Sequence, residues 1–511
     1  MPYHGILFDR SDTRPRVGAQ QEPPFLSDLN LDQVLESMIA GREEYHLEPF
    51  FYASLHDVDA VRYRHEVLRD LEQTALYEAV TVFAQSMRAM RERLAQAKKL
   101  RYRYQNERLF VDAVATYCEA VASLAGGLAQ ANVKSRGFQE FRGHLTGYTD
   151  SDAFTSLAAE TRRVTKALAE VKYGVHIKGN RVTVRRYDGE ADYGAEVEET
   201  FAKFKQGAVK DYLVTLPDPL DLNHVEAQVL DLVARLFPKV FGELDDFNAR
   251  HRGYLDDTIK DFDREIQFYL AYLEFIEPLK AAELEFCYPR VSARSKEIRV
   301  VEGFDLALGK KLVGENSSVV CNDFFLQGSE RILVVTGPNQ GGKTTFARMF
   351  GQLHHLASLG LPVPGREARL FLADRLFSHF EREEDISTLR GKLEDELVRL
   401  RDILERATKD SVVVVNESLT STTLGDSLYL GQEVLKQIID LDLPCVWVTF
   451  VDELASVGEA TVSMVAMVDP DNPAVRTYEI VRKPADGLAY AAAIAAKYGL
   501  TYQSVKERIG S

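Results

Sequence analysis

Gly337, Gly342, Lys343 and Thr344 stand at the spacing Gly-x4-Gly-Lys-Thr, a set of residue types suited to holding a nucleoside triphosphate. Gly341 and Gly342 carry no side chain to block the approach of phosphate oxygens to backbone N–H groups. Lys343 can reach the β- and γ-phosphates, and the Thr344 hydroxyl can ligate Mg²⁺. Pro338, Asn339, Gln340 and Thr345 complete the candidate phosphate loop. A second candidate group ends the apolar run Ser411-Val412-Val413-Val414-Val415. There Glu417 could orient or activate an attacking water, and Lys343, which reaches the phosphates, is the other catalytic candidate. Asn416, just before it, offers the metal a neutral carbonyl oxygen where a carboxylate would bind more strongly.

Such a loop works only between a strand end and a helix start, where the N–H groups converge on an anion. Ile332 to Val335 supplies the strand, and the stretch from Thr345 to Leu359 supplies the helix. Further apolar strands are predicted at 298–301, 318–321, 412–415, 445–449 and 462–468, which implies a mostly parallel, helix-flanked sheet. From about residue 29 to 286 the apolar spacing is helical, with helices predicted at 74–99, 109–129, 153–171 and 225–247. A longer one, of about thirty residues, is predicted from Leu255 onward and has the length of a lever. Between these helices Val175, Ile177, Val182 and Val184 alternate with polar residues around Gly179-Asn180, the pattern of a β-hairpin. Lys172, Lys178, Arg181, Arg185 and Arg186 make this hairpin basic, either as a solvated face or as a contact for a phosphate backbone.

A chain of 511 residues exceeds one ordinary core, so roughly two to four domains are expected. The formal net charge of −16 excludes a uniformly DNA-coating protein but not a local basic surface. No apolar run approaches the ~20 residues of a membrane span, and residues 1–16 carry no signal-peptide core. Cys118, Cys287, Cys321 and Cys445 show no metal-ligand spacing and fit a reducing cytoplasmic location.

Val335 to Thr345 resembles the P-loop of the DNA mismatch repair MutS family, Thr-Gly-Pro-Asn-x-Gly-Gly-Lys-Ser/Thr-Thr. Val320-Cys321-Asn322-Asp323 resembles the strand that packs near the nucleotide in that family, which adds Asn322 to the ATP-binding candidates. Asp385-Ile386 resembles its Asp-Asp-Leu segment, and Glu396 falls at the glutamate of Met-Val-Glu-Met. Asn416-Glu417, Thr422 and Asp426 follow the Asp-Glu…Gly-Thr-Ser…Asp-Gly run, and Thr449-Phe450…Glu453-Leu454 follows Thr-His…Glu-Leu. The resemblance covers about residues 30–505 and is close over 318–455; Val61-Arg62-Tyr63-Arg64 and the lever-like helix look like the family's core domain.

The resemblance implies a multidomain protein: a mainly α-helical core/lever domain with an inserted β-hairpin clamp, then an α/β P-loop (ABC-type) ATPase domain with a C-terminal helix-turn-helix. The expected divisions are an N-terminal tail (1–28), the helical domain (29–286, with the clamp-like insertion at about 172–222), the ATPase domain (287–484) and the helix-turn-helix (485–511). It also implies ATP and Mg²⁺ as ligands, a homodimer, and DNA as partner, gripped through its backbone by the basic hairpin. The expected function is an ATPase acting as a nucleotide-gated clamp on DNA, with no room for the family's mismatch-reading domain. Gly391 replaces the family's signature serine, Asn416 its aspartate and Phe450 its histidine. These departures favour an alternative, a nucleotide-sensing scaffold with little hydrolysis that acts through a protein or RNA partner.

Overall fold

The computed structural model describes residues 3–9, 21–179, 181–189, 222–381, 391–472 and 475–485, with Tyr502, Lys506 and Arg508. The chain divides into two units. One holds residues 1–3, 71–133 and 139–263, the other residues 4–70, 134–138 and 264–511, and the boundary falls within the helix Asp257–Ala281.

The first unit is helical. Thr74–Lys99 and Arg103–Gln130 bury a stripe of residues three and four apart, among them Val80, Phe83 and Met87 on one helix and Val114, Val121 and Leu124 on the other. Phe141 stacks on Phe262 with ring centroids 3.7 Å apart, and the Tyr117 and Tyr148 hydroxyls meet at 2.8 Å. Arg103–Gln130 is long and apolar enough to cross a membrane by length and composition, but Val111, Val114, Tyr117 and Leu128 lie in the core of this unit. The helix predicted over 225–247 is two helices, His224–Leu236 and Pro238–Arg250. Pro238 lacks an N–H and opens a helix more readily than it continues one. The lever helix is likewise shorter than expected, 25 residues, and ends where Glu283 turns left-handed (φ 65°).

The predicted hairpin is present: β1 (Tyr173–Lys178) pairs antiparallel with β2 (Arg181–Arg186), with Val175 opposite Val184 and Ile177 opposite Val182. Gly179 takes the left-handed conformation (φ 63°) that the turn requires; Asn180 lies outside the described residues, as does the rest of the clamp-like insertion from 190 to 221.

The second unit contains β3 (Phe286–Cys287), β4 (Arg290–Ser292), β5 (Ile298–Gly303), β6 (Asn322–Leu326), β7 (Ile332–Thr336), β8 (Val363–Pro364), β9 (Glu367–Phe371), β10 (Leu376–Phe380), β11 (Val412–Asn416), β12 (Cys445–Val448), β13 (Thr461–Val468) and β14 (Arg476–Arg482). A six-stranded sheet runs in the order β10-β11-β12-β7-β13-β14, parallel except for β14. Its inner strands β7, β11 and β12 are buried along their whole length, which explains why they read as unbroken apolar runs. A four-stranded sheet, β4-β9-β5-β6, lies in the same unit. No strand forms at 318–321: the strand falls on Asn322–Leu326, where Phe324 and Leu326 alternate inward.

The helix Lys343–Ser358 is covered by residues from the start of the chain. Gly351 lets Leu29 pack closely, since a Cβ there would lie 2.7 Å from Leu29 Cδ1. Arg348 Nε donates to Asp28 O at 3.0 Å, Gln352 Nε2 to Leu29 O at 2.9 Å, and His355 Nε2 to Phe51 O at 3.0 Å. Buried Arg64 donates to Leu7 O (3.2 Å) and to Leu359 O (2.7 Å), while Glu265 accepts the N–H groups of Ile6 and Leu7. These bonds explain why residues 4–70 group with the sheet, where the sequence suggested a tail to residue 28 and a helical domain beyond it.

Burial also holds His65, His354 and His355 down to about 4. Their unfolded forms take up protons near 6.5, so below that pH the unfolded chain binds more protons and stability falls as pH drops from about 6.5 towards 4. We expect the urea midpoint to fall steeply between pH 7 and about 5, and His355→Gln to make that fall shallower. A midpoint independent of pH over this range would show that these imidazoles are free to protonate in the folded protein.

Candidate phosphate-binding site and basic hairpin

β7 delivers the chain to Gly337, whose φ of 114° and 3.0 Å clearance from Ala466 N and O leave no space for a side chain. Gly341 is equally crowded, by Ala466 Cβ and Pro338 O at 3.0 Å, and its N–H donates to Pro338 O at 3.2 Å. Gln340 (φ 59°) and Gly342 (φ 92°) are left-handed, and Gly342 caps the helix that begins at Lys343. Asn339 and Gln340 are exposed, Pro338 is buried, and Thr344 and Thr345 are half-buried on the first turn. The loop therefore presents a helix N-terminus to solvent, the arrangement that favours an anion.

Lys343 is 3% exposed. Its Nζ donates to Gly337 O at 3.1 Å and to Pro338 O at 3.0 Å, and lies 4.5 Å from the centre of the Phe450 ring. Burial pulls its pKa below the ordinary lysine value; Glu417 opposes that shift and Arg476 adds to it. The ammonium is thus held by neutral groups, with Glu417 as its nearby counter-charge.

Asn416 closes β11, and its Oδ1 is buried with no hydrogen-bond partner among the described residues. An open buried carbonyl oxygen beside a phosphate loop fits a neutral ligand for Mg²⁺, directly or through water. Glu417 follows in the left-handed region (φ 51°), half-buried, with its N–H donating to Val448 O at 3.0 Å. In sheet order β12 lies between β7 and β11, so the loop and Glu417 stand at the carboxyl ends of strands separated by a single neighbour. Phe450 comes from the chain just after that middle strand.

Asn322 is committed to the backbone: its Oδ1 accepts from Ile480 N at 2.6 Å and its Nδ2 donates to Tyr478 O at 3.3 Å. It also borders a cavity of about 320 Å³ beside the loop, lined by Leu308, Val319, Val320, Thr345, Met349 and Tyr478 among others. Thr423 and Asp426 form a helix cap, with Thr423 Oγ1 accepting Asp426 N at 3.2 Å, and Thr422 Oγ1 lies 3.4 Å from Asp426 Oδ2. Gly391 precedes the helix Lys392–Arg406, and a Cβ there would meet nothing within 4 Å. Asp385, Ile386 and nearly all of the expected helix-turn-helix lie outside the described residues. Three neighbours of the loop escaped sequence reasoning: Ala466, Tyr478, and Arg476, whose Nε donates to Asn339 O at 3.1 Å.

On the hairpin, the pairing register puts Lys178, Arg181 and Arg185 on one face. Lys172 is exposed just before β1. Arg186 falls on the other face, donates to Leu236 O at 2.8 Å and covers the Phe237 ring at 5.1 Å. That other face exposes Tyr173, Val175 and Ile177.

Residues 333–507 match the family described as MutS domain V. The chain is 30% identical over 232 residues to the DNA mismatch repair protein MutS of Erythrobacter litoralis, covering 44% of this chain and 26% of that protein. It is 27% identical over 183 residues to the MutS of Orientia tsutsugamushi (36% and 20%), and 31% over 156 residues to that of Rickettsia rickettsii (30% and 18%). The matches span about a quarter or less of the length of these relatives. With the glycine-shaped loop and the strand order around it, these likenesses identify residues 333–507 as a MutS domain V.

Proposed function

We propose that this protein binds and hydrolyses ATP and uses the nucleotide to gate its grip on DNA. The observation that carries the reading is the phosphate loop: a helix N-terminus framed by glycines, with Lys343 held at its centre. The loop N–H groups and Lys343 receive the phosphates, and the adjoining, mostly apolar cavity takes the base. Bound Mg²⁺ would neutralise phosphate charge, with Thr344 and Asn416 as its protein ligands. Glu417 orients the attacking water. Val320, Leu424, Tyr429, Phe450, Val475 and Tyr478 are large apolar side chains exposed on segments that carry or border this site, which supports pairing with a second copy of the chain.

Lys178, Arg181 and Arg185 give the hairpin a basic face, and with Lys172 they suit the backbone of DNA. Arg181→Glu combined with Arg185→Glu should weaken duplex binding by roughly tenfold and flatten its salt dependence. Fluorescence anisotropy with labelled duplex at several salt concentrations measures both. Unchanged affinity would remove the hairpin from the interface, and absence of binding to any DNA at low salt would sink the clamp.

The neutral Asn416 supports a second reading, a nucleotide sensor with little turnover that acts through a protein or RNA partner. An ATPase assay separates the two: Lys343-dependent binding without hydrolysis belongs to the sensor.

A further inference from the structure

Helix Lys392–Arg406 carries a glutamate that is 1% exposed, Glu396. Its Oε2 accepts the Leu419 N–H at 2.9 Å, and its Oε1 is buried with no hydrogen-bond partner among the described residues. Burial pushes this carboxyl above the ordinary glutamate range. A carboxylate buried with one donor is destabilising where an apolar side chain would pack, so its use points to the group it holds.

That group is the backbone just past β11. Glu417 (φ 51°) and Leu419 (φ 63°) are both left-handed, a conformation that is strained for residues bearing a side chain and persists only where neighbours enforce it. Two hydrogen bonds bracket the kink: Glu417 N–H to Val448 O, and Leu419 N–H to Glu396. Arg399, three residues further along the helix, donates to Phe380 O at 3.2 Å, so one helix face holds the ends of both β10 and β11.

We propose that Glu396 is a positioning residue for Glu417, holding the kinked backbone that aims the Glu417 carboxylate at the attacking water. The inference rests on the reading of Glu417 as the hydrolytic group.

The test compares Glu396→Gln, which keeps an acceptor oxygen at the same reach, with Glu396→Asp, which keeps the charge but withdraws it by one methylene. Under the proposal, Glu396→Asp lowers kcat for ATP by at least about tenfold with KM within about threefold, because small displacements of a catalytic group are strongly felt. Glu396→Gln stays near wild type. With a wild type that hydrolyses ATP, equal kcat in all three proteins overturns the proposal, as does a loss in Glu396→Gln matched by retention in Glu396→Asp, which would make charge and not reach the operative property. Hydrogen exchange over 416–419 provides a readout independent of turnover. Faster exchange in Glu396→Asp with wild-type exchange in Glu396→Gln supports the proposal even if the wild type proves inactive, a result that would defeat only the hydrolytic reading. Unchanged exchange in Glu396→Asp overturns it.

Discussion

Lys343→Ala is expected to weaken ATP binding by roughly 10- to 100-fold, the worth of a charge-assisted hydrogen bond to phosphate in a partly dry site. The resting contacts of Lys343 point the same way. Its ammonium donates to two neutral carbonyls and rests on the Phe450 ring, none of which carries a formal negative charge. An arriving phosphate offers that charge, and the burial that now disfavours the ammonium then strengthens the attraction. Lys343→Met, which keeps the apolar stem against Phe450, should lose affinity to a similar degree and so separate charge from packing. Calorimetric titration with ATP and Mg²⁺ measures the change, and wild-type affinity in both variants would mean that the loop is not the nucleotide site.

The second large effect is expected at Glu417. Glu417→Gln should lower ATP turnover by about 10²–10⁴-fold, the usual contribution of a general base, while leaving ATP affinity within about threefold. The amide preserves size and the left-handed backbone but cannot take a proton. It also removes the carboxylate that favours the charged form of Lys343, which accounts for a change in ATP affinity within that threefold. Single-turnover assays with radiolabelled ATP read the chemical step directly. Turnover that survives the substitution would place the base elsewhere. A wild type that binds ATP through Lys343 and never hydrolyses it would leave the sensor reading in place.

The phosphate loop could be read from sequence because its constraints are local. Gly337 and Gly342 are glycines because of their own backbone angles, φ 114° and 92°, and the strand before them is apolar because both faces are buried. The hairpin was legible for the same reason, through alternation across one tight turn. Ser318 to Cys321 misled because apolar residues can line a cavity as readily as a strand, and here Val319 and Val320 do. Arg476 and Tyr478 gave no signal, since β14 returns to the loop only through sheet pairing. Glu396 was visible as a motif position, but its partner, the Leu419 N–H, exists only once the kink has formed.

The bonds from the start of the chain to the helix after the loop also bear on how the protein is made. Leu7 and Leu359 are joined through Arg64, and Asp28 and Arg348 directly, across 320 residues in the latter case. At a synthesis rate of about 5–20 residues per second, the first segment leaves the ribosome roughly 15–60 s before its partners exist. During that interval Leu29, buried in the finished fold, lacks Gly351 of the helix Lys343–Ser358, and the N–H groups of Ile6 and Leu7 lack Glu265. Closing so long a loop is slow, and surface exposed meanwhile is where nascent chains associate wrongly. We expect the yield of folded protein to depend on how well residues 4–70 are kept from other chains until the helix Lys343–Ser358 is complete.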